Sequence, residues 1–286
     1  MDPRAVRSTM LTFDPQARVI AGEALDTAID AEGAETVIRR MTLRAQLDNE
    51  SRLVGLDTLG DAPTADLIGR RVASGFRAAT SDLTGTPEHR LLRRMLWDLP
   101  IAVMVGMQPR ILDHPATTNH PQMILTGVDQ CSGWRAGGEM LTRIADAGGV
   151  LRMPLGPELD DPAADALAPL QSRRARSLTV TARAAPSVRA TFRDSYADPD
   201  GIARRLHEWV VEAALDQNGT LGTIQVEPGR LPWAECPFAA HSATRLIGRR
   251  PDEIETAVAE EFVGTTTCTH LNDTLRTLAE VPDLLV

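Results

Sequence analysis

Lysine is missing from this chain of 286 residues, and every one of its 30 basic residues is arginine. Chemistry that needs a lysine amine, such as Schiff-base formation or proton abstraction by lysine, is therefore excluded. Aromatic residues are also scarce, at 3% of the sequence, and there is a single tyrosine. The hydrophobic core is therefore expected to consist mainly of leucine, valine, isoleucine, alanine and methionine.

Cysteines are few, and long apolar runs are missing. Three widely spaced cysteines do not suggest a disulfide framework, so we expect reduced thiols in an intracellular protein. The most apolar stretch, residues 99–107, is far too short to span a bilayer. The first ten residues lack the apolar segment of a signal peptide. These observations predict a cytoplasmic protein with no membrane partner.

Positive charge is in deficit, because the formal net charge is −9. Nucleic acids and anionic membranes bind basic surfaces, so no nucleic-acid partner is expected. The chain also lacks a G-x-G-x-x-G fingerprint, a P-loop, a G-x-S-x-G elbow and an H-E-x-x-H motif. Nicotinamide, ATP and serine-hydrolase chemistries are therefore disfavoured, and we expect no cofactor.

Short apolar patterns and turn signals predict an α+β fold. In the first half, residues 36–47 and 52–59 flank a polar turn, which is typical of a β-hairpin. Apolar residues recur on one face over 64–79 and predict a helix. A second helix is predicted from Pro87, which suits a first helical turn, and should end before Pro100.

The second half repeats this order of elements. Residues 178–196 are predicted to form strands that are broken near Pro186. Residues 205–215 and 220–227 flank the turn sequence Asp-Gln-Asn-Gly and predict a second hairpin. Three helices are predicted after it, following Pro237, from Pro251, and from Cys268 to just before Pro282.

The shared order predicts an internal duplication. Residues 36–100 and 203–282 are expected to superpose as pseudo-twofold halves, each an antiparallel hairpin or sheet followed by helices. The predicted domains are an N-terminal half with a connecting motif region over 1–150 and a C-terminal half over 178–286. A linker rich in proline, alanine and aspartate is predicted between them, over 151–177.

Two motifs in the C-terminal third carry a family resemblance. Cys236 is followed by Leu246-Ile247-Gly248, and Cys268-Thr269-His270-Leu271 lies near the end of the chain. The sequence Asp129-Gln130-Cys131-Ser132-Gly133-Trp134 is similar to a further motif of longer relatives. On these residues the chain resembles the uncharacterised bacterial family called domain of unknown function 2889, most closely over 203–280. The resemblance implies a bacterial protein and supplies no reaction.

The cysteines at predicted helix starts are candidate reactive groups. Cys236 and Cys268 each lie at the beginning of a predicted helix, where unpaired backbone N–H groups lower the pKa of a thiol. The alternative is that both are small buried residues of the core. Cysteine and histidine are also the ligands of structural zinc sites, but only a C-x-H spacing is present, so no metal is assigned.

Histidines supply the candidate acid–base groups. His270 is a possible general acid or base, with Asp273 orienting it, and His207 of a predicted strand could enter the same cleft. Each could instead cap, pack locally or face solvent. Asp194 and Tyr196 share one strand face, which is more typical of a hydrogen-bonded surface pair than of a proton-transfer pair.

A pocket at the start of the last helix is the predicted site. Cys131, Trp134 and Thr269 are its expected substrate-binding residues, with Trp134 as a flat apolar wall. The sequence leaves two functions open. One is a cofactor-independent isomerase, lyase or hydrolase that acts on a small organic molecule. The other is a non-catalytic module that binds a small ligand or a partner, with structural cysteines and a possible zinc site. A homodimer is compatible with both.

Overall fold

The computed structural model describes residues 2–73, 75–106, 127–149, 154–159, 166–181 and 185–285. The described residues form an α+β fold in which eight antiparallel strands make one sheet, in the order β4-β3-β2-β1-β5-β6-β7-β8. The first four strands are β1 (Arg4–Asp14), β2 (Val19–Ile29), β3 (Glu35–Leu47) and β4 (Leu53–Thr58). The last four are β5 (Ser172–Thr181), β6 (Ser187–Ala197), β7 (Ala203–Leu215) and β8 (Leu221–Pro228).

The hairpin turns follow from aspartate side chains that bond to their own backbone. Asp48 Oδ1 accepts the backbone N–H groups of Glu50 and Arg52, and joins β3 to β4. Asp216 Oδ1 does the same with Asn218 and Thr220 between β7 and β8. Such turns fix the strand register, so both predicted hairpins are confirmed.

Four α-helices and several 3-10 segments accompany the sheet in the described ranges. The α-helices are α1 (Pro87–Gly106), α2 (Glu139–Asp146), α3 (Pro251–Glu261) and α4 (Thr269–Leu275). The 3-10 segments are Ala65–Leu67, Ala78–Thr80, Ser132–Trp134, Cys236–Leu246, Gly264–Thr266 and Arg276–Leu284. In none of the described ranges does a helix have the length and apolar character that crossing a membrane requires.

The helix predicted over 64–79 is wrong. Two glycines, Gly69 and Gly75, adopt positive φ angles of 84° and 85°, which an α-helix cannot contain. The segment instead lies alongside the start of β4, where Gly69 N donates to the carbonyl of Leu53. Short 3-10 turns at either end still bury part of the apolar face.

Two predicted helix ends are also wrong, and both involve proline. Helix α1 continues through Pro100 to Gly106, although proline in a helix interior costs about 3 kcal/mol. Leu99, Ala102 and Val105 around it are buried, and burial at roughly 1.5–3 kcal/mol for a large apolar side chain outweighs that cost. The last helix does not end before Pro282, because a 3-10 segment that contains it continues to Leu284.

Two threonine hydroxyls bond back to the backbone near the point where α4 passes into the C-terminal 3-10 segment. The hydroxyl of Thr277 donates to the carbonyl of Thr274, and that of Thr274 donates to the carbonyl of His270. Such bonds compete with the α-helical ladder and loosen it. The helix predicted after Pro237 is likewise a 3-10 segment, whereas the helix from Pro251 is confirmed.

Neither β1 nor β2 is predicted from the sequence, yet β1 lies at the centre of the sheet. It pairs with β2 on one side and with β5 on the other. The predicted linker over 151–177 extends too far along the chain, because strand β5 already begins at Ser172. Residues 151–153 and 160–165 of that linker lie outside the described residues.

Each half of the chain contributes four adjacent strands to the sheet, and β1 pairs with β5 where the halves meet. One apolar cluster lies under β1–β4 with α1, and another lies under β5–β8 with the C-terminal helices. The predicted superposition of 36–100 on 203–282 stays a prediction.

Candidate functional site

The candidate site is a cluster of three buried side chains, Asp194, His207 and His270, here called the histidine–aspartate cluster. Asp194 of β6 and His207 of β7 are direct partners across the strand ladder. The register shifts between Asp194 and Ser195, and a bulge of this kind re-aims side chains at a sheet. His270 enters from the first turn of α4, above the same face.

The two histidines converge on one carboxylate oxygen. His207 Nδ1 lies 3.5 Å from Asp194 Oδ2, and His270 Nε2 lies 3.8 Å from the same atom. Both residues are buried, at 7% and 8% exposure, and neither of these ring nitrogens has a hydrogen-bond partner among the described residues. Buried polar atoms without partners are rare in folded proteins, so this arrangement requires an explanation.

His270 is a neutral imidazole at physiological pH. Burial lowers its pKa well below the usual value, and the nearby His207, Arg174 and Arg176 lower it further. The ring stacks on Phe192 at 5.8 Å between centroids. His270 therefore offers a lone pair that can accept a proton or bind a metal ion.

Arg174 of β5 holds the cluster in place. Its guanidinium donates to both oxygens of Asp194 at 3.1 and 3.2 Å, to Asp98 Oδ1 at 3.1 Å and to Asp273 Oδ2 at 3.1 Å. All four side chains are buried. One arginine thus connects β5, β6, α1 and α4, and charge-assisted hydrogen bonds of this kind fix geometry strongly.

Arg176 is the next residue after Arg174 on the buried face of β5, and it belongs to the same network. It donates to both oxygens of Asp98, at 2.6 and 2.9 Å, and to the backbone carbonyl of Asp273 at 2.8 Å. The guanidinium carbons of Arg174 and Arg176 lie 4.5 and 5.1 Å from the centroid of the Phe192 ring. Arg174 and Arg176, which the sequence assigns to a linker, are therefore core residues of a strand.

Asp273 does not take the role that the sequence suggests. Burial alone would raise its pKa, but Arg77, Arg176, Arg174 and Arg276 outweigh burial and hold the pKa well below the usual range. Its carboxylate pairs with arginines, and the carboxylate beside His270 is that of Asp194. Asp273 is therefore a charged anchor of the network.

The three cysteines lie close enough to influence one another's ionisation, but the acidity of Cys268 and Cys236 is the reverse of the expectation. Burial, together with a smaller effect of the nearby Cys131, raises the pKa of Cys268 to about 12. Burial also raises the pKa of Cys236, with Cys268 and Cys131 adding to the effect. All three thiols are free, and Cys268 Sγ lies 3.9 Å from His270 Nδ1. The predicted low-pKa thiolates are wrong, because burial exceeds the effect of the helix start.

The motif at residues 129–134 connects the segment that contains Cys236 with the segment that contains Cys268. Ser132 N donates to the carbonyl of Thr267 at 2.7 Å, and the Ser132 hydroxyl donates to the carbonyl of Glu235. A Cβ atom on Gly133 would lie 2.6 Å from Cys236 Sγ, so the motif approaches the thiol closely. Trp134 packs half-buried against the core. Thr269, expected to bind substrate, is exposed.

Sequence reasoning missed the residues that organise the site. Asp194 and Tyr196, interpreted as a surface pair, are both fully buried. Arg174, Arg176 and Asp98 received no role. A signal was present in β5, where these arginines occupy the same alternating positions as Leu178 and Val180, the positions of the buried face.

No curated protein and no solved structure gives a significant match to the chain. A family match covers the strands β5–β8 and the segments that follow them, and confirms the resemblance that the sequence motifs predict. Residues 172–282, which contain Arg174, Asp194, His207 and His270, match the family described as Protein of unknown function (DUF2889).

Proposed function

We propose that this protein is an enzyme that acts on a small organic molecule by acid–base chemistry, as an isomerase, lyase or hydrolase. The observation that carries the proposal is the pair of buried, unpartnered imidazole nitrogens that face Asp194 Oδ2. An unsatisfied buried polar atom costs about 1–3 kcal/mol. A cluster that served stability alone would be expected to satisfy these atoms, whereas reacting groups must keep them available.

His270 is the proposed proton acceptor. Its ring is neutral, and the positive charges of Arg174 and Arg176 disfavour the protonated form, so a proton that it accepts is readily released. His207 stacks against it and offers a second nitrogen to the same space. Arg174 fixes Asp194 beneath both rings. The network thus supplies groups that are already in position, which is the arrangement that acid–base catalysis needs.

A second candidate function is a non-catalytic binding module with structural cysteines. The raised pKa values of Cys268 and Cys236 favour it, because protonated, buried thiols make poor nucleophiles. Under this alternative the three cysteines pack the region between Ser132 and α4. The histidine–aspartate cluster would then position a bound ligand without reacting with it.

Proton exchange distinguishes the two functions. Purified protein is incubated in D2O with panels of hydroxy acids, enoyl acids, lactones and simple esters, and NMR follows deuterium uptake and turnover. His270→Gln and His207→Gln are compared with His241→Gln, a histidine on the exposed surface. Loss of exchange in the first two variants alone supports the enzyme. Exchange that all three variants retain contradicts the enzyme proposal. Ligand binding without any deuterium exchange supports the non-catalytic binding module.

The setting of this activity is part of the same proposal. We expect a small-molecule substrate, a cytoplasmic location and no nucleic-acid partner, in keeping with free thiols and a net charge of −9. A homodimer is compatible with this proposal. Sedimentation of the purified protein tests the oligomeric state.

A further inference from the structure

We infer that the histidine–aspartate cluster binds one divalent transition-metal ion, through Asp194 Oδ2, His207 Nδ1 and His270 Nε2. The inference rests on the site of the proposed function and supplies a cofactor for it. It departs from the cofactor-independent chemistry that the sequence suggests. The sequence offered only the cysteines with His270 as ligand types and assigned no metal, whereas the structure brings together two imidazoles and a carboxylate.

The spacing of the three ligand atoms is the first observation that supports a metal site. All three lie within 4.8 Å of one another, and the nitrogens are 3.5 and 3.8 Å from Asp194 Oδ2. Zinc binds such atoms at about 2.0–2.2 Å, so neighbouring ligands in its shell lie roughly 3–3.5 Å apart. The two nitrogen–oxygen distances are therefore within a few tenths of an ångström of those in a coordination shell, and binding of an ion would also draw the two ring nitrogens together.

The ring nitrogens without hydrogen-bond partners are the second observation that supports a metal site. Imidazole in a protein interior normally uses both ring nitrogens in hydrogen bonds, and in metal sites one nitrogen binds the ion while the other is held. His270 follows this pattern, because Nδ1 faces Cys268 Sγ at 3.9 Å and Nε2 is the free atom aimed at Asp194. A proton on Nδ1 leaves the Nε2 lone pair available to the ion.

The surroundings select the kind of ion. Arg174 holds Asp194 from the side as an outer-shell partner, while Asp98 and Asp273 balance its charge. Two nitrogens and one oxygen suit zinc, iron, cobalt or nickel better than magnesium or calcium, which prefer oxygen alone. The adjacent guanidinium opposes a cation, so we expect weaker binding than in a closed structural zinc site.

Three protein ligands leave part of the coordination shell open, as in catalytic rather than structural metal sites. A bound metal lowers the pKa of a water molecule in that position and polarises a substrate oxygen. In that case His270 would be a ligand and not the proton acceptor, and a hydroxide at the open position, formed when the bound water loses a proton, would be the base. The class of reaction stays the same as in the proposed function.

Metal titration of the full chain tests the inference directly. Protein freed of metal with a chelator, which is then removed, is titrated with Co²⁺ by absorbance and with Zn²⁺ by calorimetry. We expect one ion per chain in the wild type and in His241→Gln, and binding at least ten-fold weaker in His207→Gln and His270→Gln. Circular dichroism verifies that each variant is folded. A folded wild type that binds neither ion, or variants that bind as the wild type does, overturns the inference.

The two proposals fail in different ways. Absence of Co²⁺ and Zn²⁺ binding, with turnover that persists in metal-free protein and is abolished by His270→Gln, rejects the metal site and keeps acid–base catalysis by the side chains. Stoichiometric Co²⁺ binding that depends on both histidines, with no proton exchange on any tested substrate, keeps the metal site and rejects the enzyme.

Discussion

His207 and His270 stack their imidazole rings with centroids 3.8 Å apart and planes inclined by 21°. The two residues come from a strand and from a helix start that are 63 positions apart in the sequence. Each directs one ring nitrogen toward the same oxygen of Asp194. This contact defines the centre of the site, and the ion pairs around it decide how the protein responds to substitution and to pH.

Removal of the Arg174 guanidinium should destabilise the fold severely. Arg174→Gln removes the arginine that pairs with the buried carboxylate of Asp194 and that also pairs with Asp98 and Asp273, and breaking such a buried pair costs about 3–5 kcal/mol. Urea unfolding measures the loss in the free energy of unfolding. Arg189→Gln is the matched control, because its pair with Glu212 is exposed and contributes about 0–1 kcal/mol. Similar losses in the two variants would contradict the role assigned to Arg174.

Acidification should unfold the protein from about pH 4 downward. Burial would raise the pKa of Asp98 and Asp273, but the neighbouring arginines hold both below the usual value of about 3.9. The folded state therefore stays deprotonated where the unfolded chain already binds protons. The resulting stabilisation is fully present well above that value and is lost as pH falls toward the folded-state pKa.

The measurement is the free energy of unfolding at a series of pH values from 7 to 2.5. Asp98→Asn should give a shallower decline than the wild type, because it removes one of the carboxyls that must be protonated. Asp57→Asn, on an exposed position of β4, is the control and should follow the wild-type curve. A decline of equal steepness in the Asp98 variant would refute this explanation.

The cysteine thiols should react slowly in the folded protein. With a pKa of about 12, roughly one Cys268 thiol in ten thousand is ionised at pH 8. Reaction with a disulfide reagent should be much slower than that of a free thiol and should become fast in urea, where all three cysteines react. Rapid reaction of Cys268 in the native state would contradict its burial and restore the reactive-thiol hypothesis. Fewer than three thiols after unfolding without a reductant would indicate a disulfide.

Gly133 should tolerate no side chain. A Cβ atom there would lie 2.6 Å from Cys236 Sγ and 3.1 Å from Trp233 Cδ1, so Gly133→Ala should cost about 1–3 kcal/mol through overpacking. Cys236→Ala in the same chain should recover part of this loss by making room. Gly85→Ala is the control, because its nearest neighbour is His89 Nδ1 at 3.7 Å. Equal melting temperatures for the two single variants would show that the motif does not approach Cys236 closely.

The sequence by itself determined the local structure wherever one short segment contains the whole cause. Asp48 and Asp216 close their hairpins through bonds within five residues, and Pro251 begins α3. The same local reasoning identified the region around Cys236, Cys268 and His270. It went wrong at Pro100, where tertiary burial outweighs the intrinsic cost of proline.

Only the tertiary structure decided which polar residues form the site. Arg174, Asp98, Asp194 and Asp273 lie on different elements, and each by itself resembles an ordinary surface residue. Their burial is stable only because all of them are buried together, since an isolated buried charge is too costly. The raised pKa of Cys268 has the same origin: the helix start is visible in the sequence, whereas the depth of burial that overrides it depends on how β6, β7 and α4 pack.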